Sequence, residues 1–291
     1  MSTSTPRVPA PSVPGSFVEK FVVAGGYATR YLEGGDSSQS TILLLHDGAW
    51  GGSSDVTWGH MFEDLAAHHH VLAPDQLGLG GSDKVVFTDR PSHSYRIDHT
   101  AAFLAAVGVD EPVHVVGNSF GGTLGLRALP TMAIRSRSVT SIAGGGGPWR
   151  TPTSKGLAAW DGTRKSMRDV LRLLIDDFPG FDEQLERRMY WASRPGHYRA
   201  VSAVGVPLPT SLSRKSEDTW PRELSGVDVP VQLIRGRRDE LLQADWPYLV
   251  AAELSRAEVL ELDCKHAPNI DNPKTLLPEV LGFLERVERD E

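Results

Sequence analysis

Short apolar runs alternate along this chain with stretches whose apolar residues return every three or four positions. That is the pattern of strands buried on both faces with helices packed between them. Residues 17–23 and 27–32 read as a hairpin turning at Gly25 and Gly26, and residues 41–45, TILLL, as a fully apolar strand. A helix is predicted over 56–67, a strand over 71–74, a helix near 95–107 and a strand over 113–116. Thr123, Leu124, Leu126 and Leu129 then recur at helical spacing until Pro130, and residues 139–143 return to strand character. Strand and helix alternating in this way predict an α/β fold, a mostly parallel doubly wound sheet.

The rhythm breaks after residue 143. The glycines of residues 144–147 open helical, charged and aromatic sequence without a strand that runs to about residue 224. Strand character resumes at 229–234 and 259–262, with helices after each. The interruption reads as a helical cap over the carboxyl edge of the sheet, where open α/β sheets bind ligands. The glycines serve either as hinge or crossing residues or as a surface loop. Trp149, Trp160, Trp191, Tyr190 and Tyr198 are candidates for the cap pocket or for plain packing. The expected organisation is a tail over residues 1–15, a core over 16–147 and 226–291, and a cap over 148–225. The tail, rich in Ser, Thr and Pro, is expected to be mobile.

Composition narrows the function classes. A net charge of -7 and a pI near 5.8 offer no basic stripe, so neither a nucleic acid nor an anionic membrane surface is an expected partner. No apolar stretch approaches the roughly 18 residues of a membrane span, and the opening MSTSTPRVPAPSVPG has no hydrophobic signal core. A cytoplasmic location is expected. The only cysteine, Cys264, leaves no internal disulfide and reads as a small core residue.

The candidate chemistry begins in VHVVGNSFGG, where an apolar strand runs directly into Gly117, Ser119 and Gly121 at G-x-S-x-G spacing. Small residues two before and two after the serine permit the tight strand-to-helix turn of a nucleophile elbow, and the turn aims the Phe120 amide at a developing oxyanion. A serine hydroxyl needs a base, and the base needs an orienting acid. Asp239 follows the 229–234 strand and His266 follows the 259–262 strand, so a parallel sheet brings both loops beside the elbow. Asp245, Asp263 and Asp271 read instead as helix-cap or turn residues. A second oxyanion donor is expected from the loop HDGAWGG, at the amide of Gly48, with His46 bracing that loop. The contiguous His68, His69 and His70 would, in a strand, point to alternating faces and could not all converge on one metal ion. The string Gly78-Leu79-Gly80-Gly81 precedes Ser82-Asp83-Lys84 rather than a helix, which favours a turn over a dinucleotide site.

With these pieces placed, residues 17–287 resemble the α/β hydrolase superfamily, and more narrowly the meta-cleavage product hydrolases of aromatic catabolism. The likeness rests on LLLHDGAWGGSSDVTWGHM, VLAPDQLGLGGSDK, GNSFGG and DEQLERRMYWA. It implies the α/β-hydrolase fold with an inserted helical cap, a small-molecule substrate, no cofactor, no metal, and association into homo-oligomers. It also implies hydrolysis of a carbon-carbon bond in a vinylogous 1,5-diketone acid. By position the resemblance gives Ser119, Asp239 and His266 as the triad, with Gly48 and Phe120 as oxyanion donors. Asn118, Arg188 and the loop tryptophan Trp58 are its substrate-binding residues, Arg188 holding the dienoate carboxylate. The chain departs from that pattern at three places. Asp47 replaces the first of two glycines after the loop histidine, Gly59 replaces an asparagine, and Ala267-Pro268 replaces a tryptophan after His266. A carboxylesterase or lactonase with the same triad is the alternative, and a hydrolase-fold binding protein without catalysis is a third reading.

Overall fold

The structure is a computed structural model that describes residues 17–203 and 218–290; the expected N-terminal tail lies outside the described residues. Eight strands form one sheet: β1 (Val18–Ala24), β2 (Tyr27–Gly34), β3 (Thr41–Leu45), β4 (His70–Pro74), β5 (Val113–Asn118), β6 (Ser136–Ile142), β7 (Val231–Gly236) and β8 (Ala257–Leu262), in the order β1-β2-β4-β3-β5-β6-β7-β8. The hairpin β1–β2 is antiparallel and β2 pairs antiparallel with β4. From β4 onward every pairing is parallel. All loops that leave β3, β5, β6, β7 and β8 therefore emerge at one edge.

Helices cover both faces: α1 (Ser54–Trp58), α2 (Phe62–Ala66), α3 (Ser92–Ala106), α4 (Phe120–Ala128), α5 (Arg164–Leu174), α6 (Phe181–Ala192), α7 (His197–Ala203), α8 (Trp246–Ala251), α9 (Pro268–Asp271) and α10 (Pro273–Arg289). Side chains alternate across each strand and so feed two cores. Leu43, Leu45, Val115, Val139 and Leu233 pack with Phe103, Leu124 and Trp246 on one face. Ile42, Leu44, Val116, Ile142 and Ile234 pack with Trp58, Phe62, Leu276 and Phe283 on the other. Each such side chain contributes about 1.5–3 kcal/mol by leaving water. A third cluster joins α5 and α6 to the carboxyl edge through Trp50, Met167, Leu171, Leu185, Leu241 and Ile270.

A helix and a strand are among the elements that differ from the periodicity. The single helix expected over 56–67 is two short ones, because the amide of Met61 turns back to the Trp58 carbonyl at 2.9 Å across the poor helix formers Gly59 and His60. The apolar spacing survives the break, since Val56, Trp58, Met61, Phe62 and Leu65 are all buried. Strand β6 starts at Ser136, three residues earlier than its apolar residues suggest. Its polar positions are satisfied inside the sheet: Ser138 Oγ lies 2.7 Å from His114 Nδ1, and Ser141 Oγ donates to the Gly144 carbonyl at 2.7 Å. Cys264 is buried among the core residues of the second face, where burial pushes its thiol up to about 12. No helix among the described residues is long and apolar enough to cross a membrane.

Candidate active site

Strand β5 ends in a turn that few sequences can make. Ser119 sits between β5 and α4 with φ 55 and ψ -114, in a region that costs a residue with a side chain on the order of 1–3 kcal/mol. The fold holds it there through Ser119 N–H to the Ile142 carbonyl at 2.7 Å and Thr123 N–H to the Ser119 carbonyl at 3.0 Å. A Cβ on Gly117 would lie 2.3 Å from the Gly121 carbonyl carbon, and one on Gly121 would lie 2.0 Å from the Leu45 carbonyl oxygen. Both positions accept only glycine because backbone passes where a side chain would stand.

The loops after β7 and β8 complete a relay. His266 Nε2 lies 2.8 Å from Ser119 Oγ, and His266 Nδ1 lies 2.8 Å from Asp239 Oδ2. Asp239 Oδ1 accepts the Leu241 amide at 2.8 Å, which fixes the carboxylate plane. With Asp239 accepting at Nδ1, the proton of the neutral imidazole resides there and Nε2 is free to accept from the serine. Gly48 stands against Phe120 beside Ser119, where a Cβ on Gly48 would come within 3.0 Å of Phe120 Cβ. As the first residue of α4, Phe120 has an amide with no preceding turn to bond. His46 braces this loop: its Nδ1 lies 2.6 Å from the Asp47 carbonyl, its Nε2 accepts the Gln76 amide at 2.8 Å, and burial pushes its pKa down.

Above the serine lies a cavity of about 690 Å³ whose wall includes Gly48, Phe120, Ser119, His266, Trp149 and Tyr198. Of the five aromatic candidates, Trp149 and Tyr198 line it. Trp160 packs on Trp50 at 5.0 Å, Trp191 donates to Asp55 at 3.1 Å, and Tyr190 packs on Trp191 at 5.0 Å. The glycine string of residues 144–147 forms part of the wall and is braced. Arg127 Nη2 donates to the Gly146 carbonyl at 2.8 Å and Trp220 Nε1 to the Gly145 carbonyl at 2.8 Å.

The three residues given a substrate-binding role by resemblance stand elsewhere. Arg188, on α6, is fully buried and donates through Nη1 and Nη2 to both oxygens of Asp47 at 3.2 and 2.9 Å, and through Nη1 to the Trp50 carbonyl at 3.2 Å. Burial would push the Asp47 carboxyl up, but the charge and hydrogen bonds of Arg188 outweigh it and hold the group at about 2. The guanidinium is thus neutralised by Asp47, the residue that stands where the resemblance expects a glycine. Asn118 donates to the His266 carbonyl at 3.1 Å, bracing the histidine loop from below. Trp58 is buried in the second core. None of the three is part of the cavity wall.

Sequence reasoning missed Arg96, which lies on the wall beside Ser92 and His93. A faint signal exists: no acidic residue stands three or four positions from it on either side, so its helix provides no ion-pair partner. Among the described residues no group of three or more His, Cys, Asp or Glu side chains could hold a metal ion.

Residues 42–279 match the description "Alpha/beta hydrolase family". The chain belongs to that family. This hydrolase is 28% identical over 292 residues to a 2-hydroxy-6-oxo-6-(2'-aminophenyl)hexa-2,4-dienoic acid hydrolase of Metapseudomonas resinovorans, covering 93% of this chain and 92% of that one. It is 25% identical over 282 residues to a 2-hydroxymuconate semialdehyde hydrolase of a Pseudomonas species, covering 90% and 92%. Among solved structures, the 2-hydroxy-6-oxo-6-phenylhexa-2,4-dienoate hydrolase of a Rhodococcus species superposes with a TM-score of 0.80 at 24% identity, over 93% of this chain and 99% of that one, a likeness of fold. The hydrolase is therefore similar to meta-cleavage product hydrolases in sequence and to one of them in fold.

Proposed function

We propose that this hydrolase is a cofactor-free serine enzyme that cleaves a carbon-carbon bond in a vinylogous 1,5-diketone acid, a meta-cleavage product of aromatic catabolism. The observation that carries the serine-enzyme reading is the relay from Ser119 Oγ to His266 Nε2 and from His266 Nδ1 to Asp239, opening into the cavity, and sequence likeness to the dienoic acid and semialdehyde hydrolases supports the diketone acid as substrate. His266 takes the proton of Ser119, or of a water that Ser119 orients, as the oxygen attacks the ketone of the keto tautomer. The amides of Gly48 and Phe120 hold the resulting oxyanion. When the carbonyl re-forms, the carbon-carbon bond breaks and its electron pair goes to the dienoate, which receives the proton from His266. Where Ser119 itself attacked, water activated by His266 then cleaves the acyl-serine and Ser119 takes back its proton, so in either case one water is consumed overall and a second carboxylic acid is released. Asp239 keeps the imidazole in its tautomer throughout.

One observation favours a second reading, an esterase or lactonase with the same relay. The arginine assigned to the dienoate carboxylate is already occupied by Asp47. The decisive assay compares kcat/KM for a coloured ring-fission diketone acid and a p-nitrophenyl ester. Consumption of the diketone at least as efficient as that of the ester supports carbon-carbon cleavage; a diketone that persists while esters are turned over gives the esterase. In both cases Ser119→Ala is expected to remove about 10³-fold or more of kcat, and unchanged turnover in that variant would discredit the nucleophile.

A further inference from the structure

Arg96 is the feature of the cavity that the relay leaves unexplained. The residue is 4% exposed. Nε donates to the Leu77 carbonyl at 2.9 Å and Nη1 to the Ser92 carbonyl at 3.3 Å, which hold the guanidinium in place without neutralising it. The ring centroids of Tyr95 and Phe120 lie 4.8 and 5.4 Å from its central carbon. Among the described residues no carboxylate pairs with it and no protein acceptor meets Nη2. Burial weakens its hold on the proton, yet an arginine remains charged in proteins. A buried cation without a counterion is costly, and the cost is recovered when an anion arrives.

The rest of the wall points the same way. The described residues lining the cavity include Arg96, Arg150, His93 and His266, and no aspartate or glutamate, in a chain of net charge -7. Arg150 is exposed, where water screens its charge. Burial pushes the pKa of His93 down, so it brings no charge of its own near neutrality. Arg96 is the desolvated cation of the wall, and it stands against the residue whose amide faces the oxyanion.

We propose that Arg96, on α3, recognises a carboxylate of the substrate, in place of the cap arginine Arg188, and that substrates of this hydrolase are organic acids whose carboxylate lies on the α3 side of Ser119. This rests on Ser119 as the nucleophile but not on which bond is cleaved. A planar guanidinium with free N–H groups suits a carboxylate in two-point contact, and desolvation strengthens that contact.

The test uses two p-nitrophenyl esters of one chain length, one ending in a free carboxylate and the other in its methyl ester. The wild-type protein is expected to favour the acid by about 10- to 100-fold in kcat/KM, mostly through KM. Arg96→Gln is expected to bring that ratio near unity, and Arg96→Lys to recover part of it. No preference in the wild type, or a ratio unaltered in Arg96→Gln, would overturn the proposal, as would equal losses on both esters. A second arm needs no turnover: titration of hexanoate and hexanamide into Ser119→Ala, with and without Arg96→Gln. Selective loss of hexanoate binding in the double variant supports the role of Arg96; equal binding of the two ligands to Ser119→Ala refutes it. Because this arm reads binding alone, a failed Arg96 and a failed serine mechanism give separate results.

Discussion

Two buried arginines flank the candidate active site, and they do opposite things with their charge. Arg188 is fully buried on α6 and closed by Asp47, Trp50 and the loop that carries Gly48. Arg96, on α3, is nearly as buried but rests on two backbone carbonyls and two aromatic rings, with no carboxylate partner among the described residues, and is part of the cavity wall. The first pair is internally neutral and holds two segments together; the second site is incomplete without an anion. Position in a family pattern therefore does not decide which arginine binds substrate. The presence of an internal partner does.

The largest expected effect lies on the closed side. Arg188→Met leaves Asp47 as an uncompensated buried charge and should cost about 3–5 kcal/mol, read by urea unfolding. Adding Asp47→Leu should recover part of that loss, since an apolar pair of similar volume is often neutral. The recovery is incomplete because Asp47 also accepts the Ala49 amide at 2.9 Å and the Thr57 hydroxyl at 2.8 Å. If Arg188→Met lowers stability by less than about 1 kcal/mol, the pair does not hold the helix as described.

Next comes pH. The Asp47 carboxyl is held at about 2 in the folded protein, below the roughly 3.9 of an unfolded chain. A depressed carboxylate pKa gives stability that is present above the unfolded value and is lost as pH falls through the folded one. Asp47 should therefore contribute about 2–3 kcal/mol at pH 6 that fades between about pH 4 and pH 2. The stability gap between the wild type and Asp47→Asn should narrow over that range, and a constant gap would contradict the pairing. The smallest stability effect belongs to Arg96. Arg96→Met gives up two carbonyl contacts together with an unpaired charge, and should shift stability by about 1 kcal/mol or less. A loss as large as that of Arg188→Met would make Arg96 structural.

Much of the framework was legible because its causes are local. The apolar runs TILLL and VHVV could be nothing but interior strands once alternated with helical spacing. Parallel strands then oblige the loops bearing Ser119, Asp239 and His266 to share an edge, as the hydrogen bonds among them reflect. Gly117 and Gly121 could be read from chemistry alone, since both face backbone rather than a side chain. What escaped reading depends on distant partners. Asp47 was visible as a departure from the family pattern, but its engagement with Arg188 links positions 141 residues apart. Arg96 carries no motif, and its meaning comes from the absence of acids among the described residues around a cavity that only the folded chain assembles. The break in the 56–67 helix escaped because either form buries the same apolar side chains.

The bond between Asp47 and Arg188 is not isolated. Gln184 donates to the Val56 carbonyl at 2.8 Å, and the Gly51 amide donates to His197 at 3.1 Å. Through these contacts the segment after β3 and the helices α6 and α7 are physically coupled. A chimera that imports α6 and α7 from a diketone hydrolase, but keeps the native segment after β3, would bring together halves that never evolved side by side. Exchange of specificity between relatives requires that both travel together.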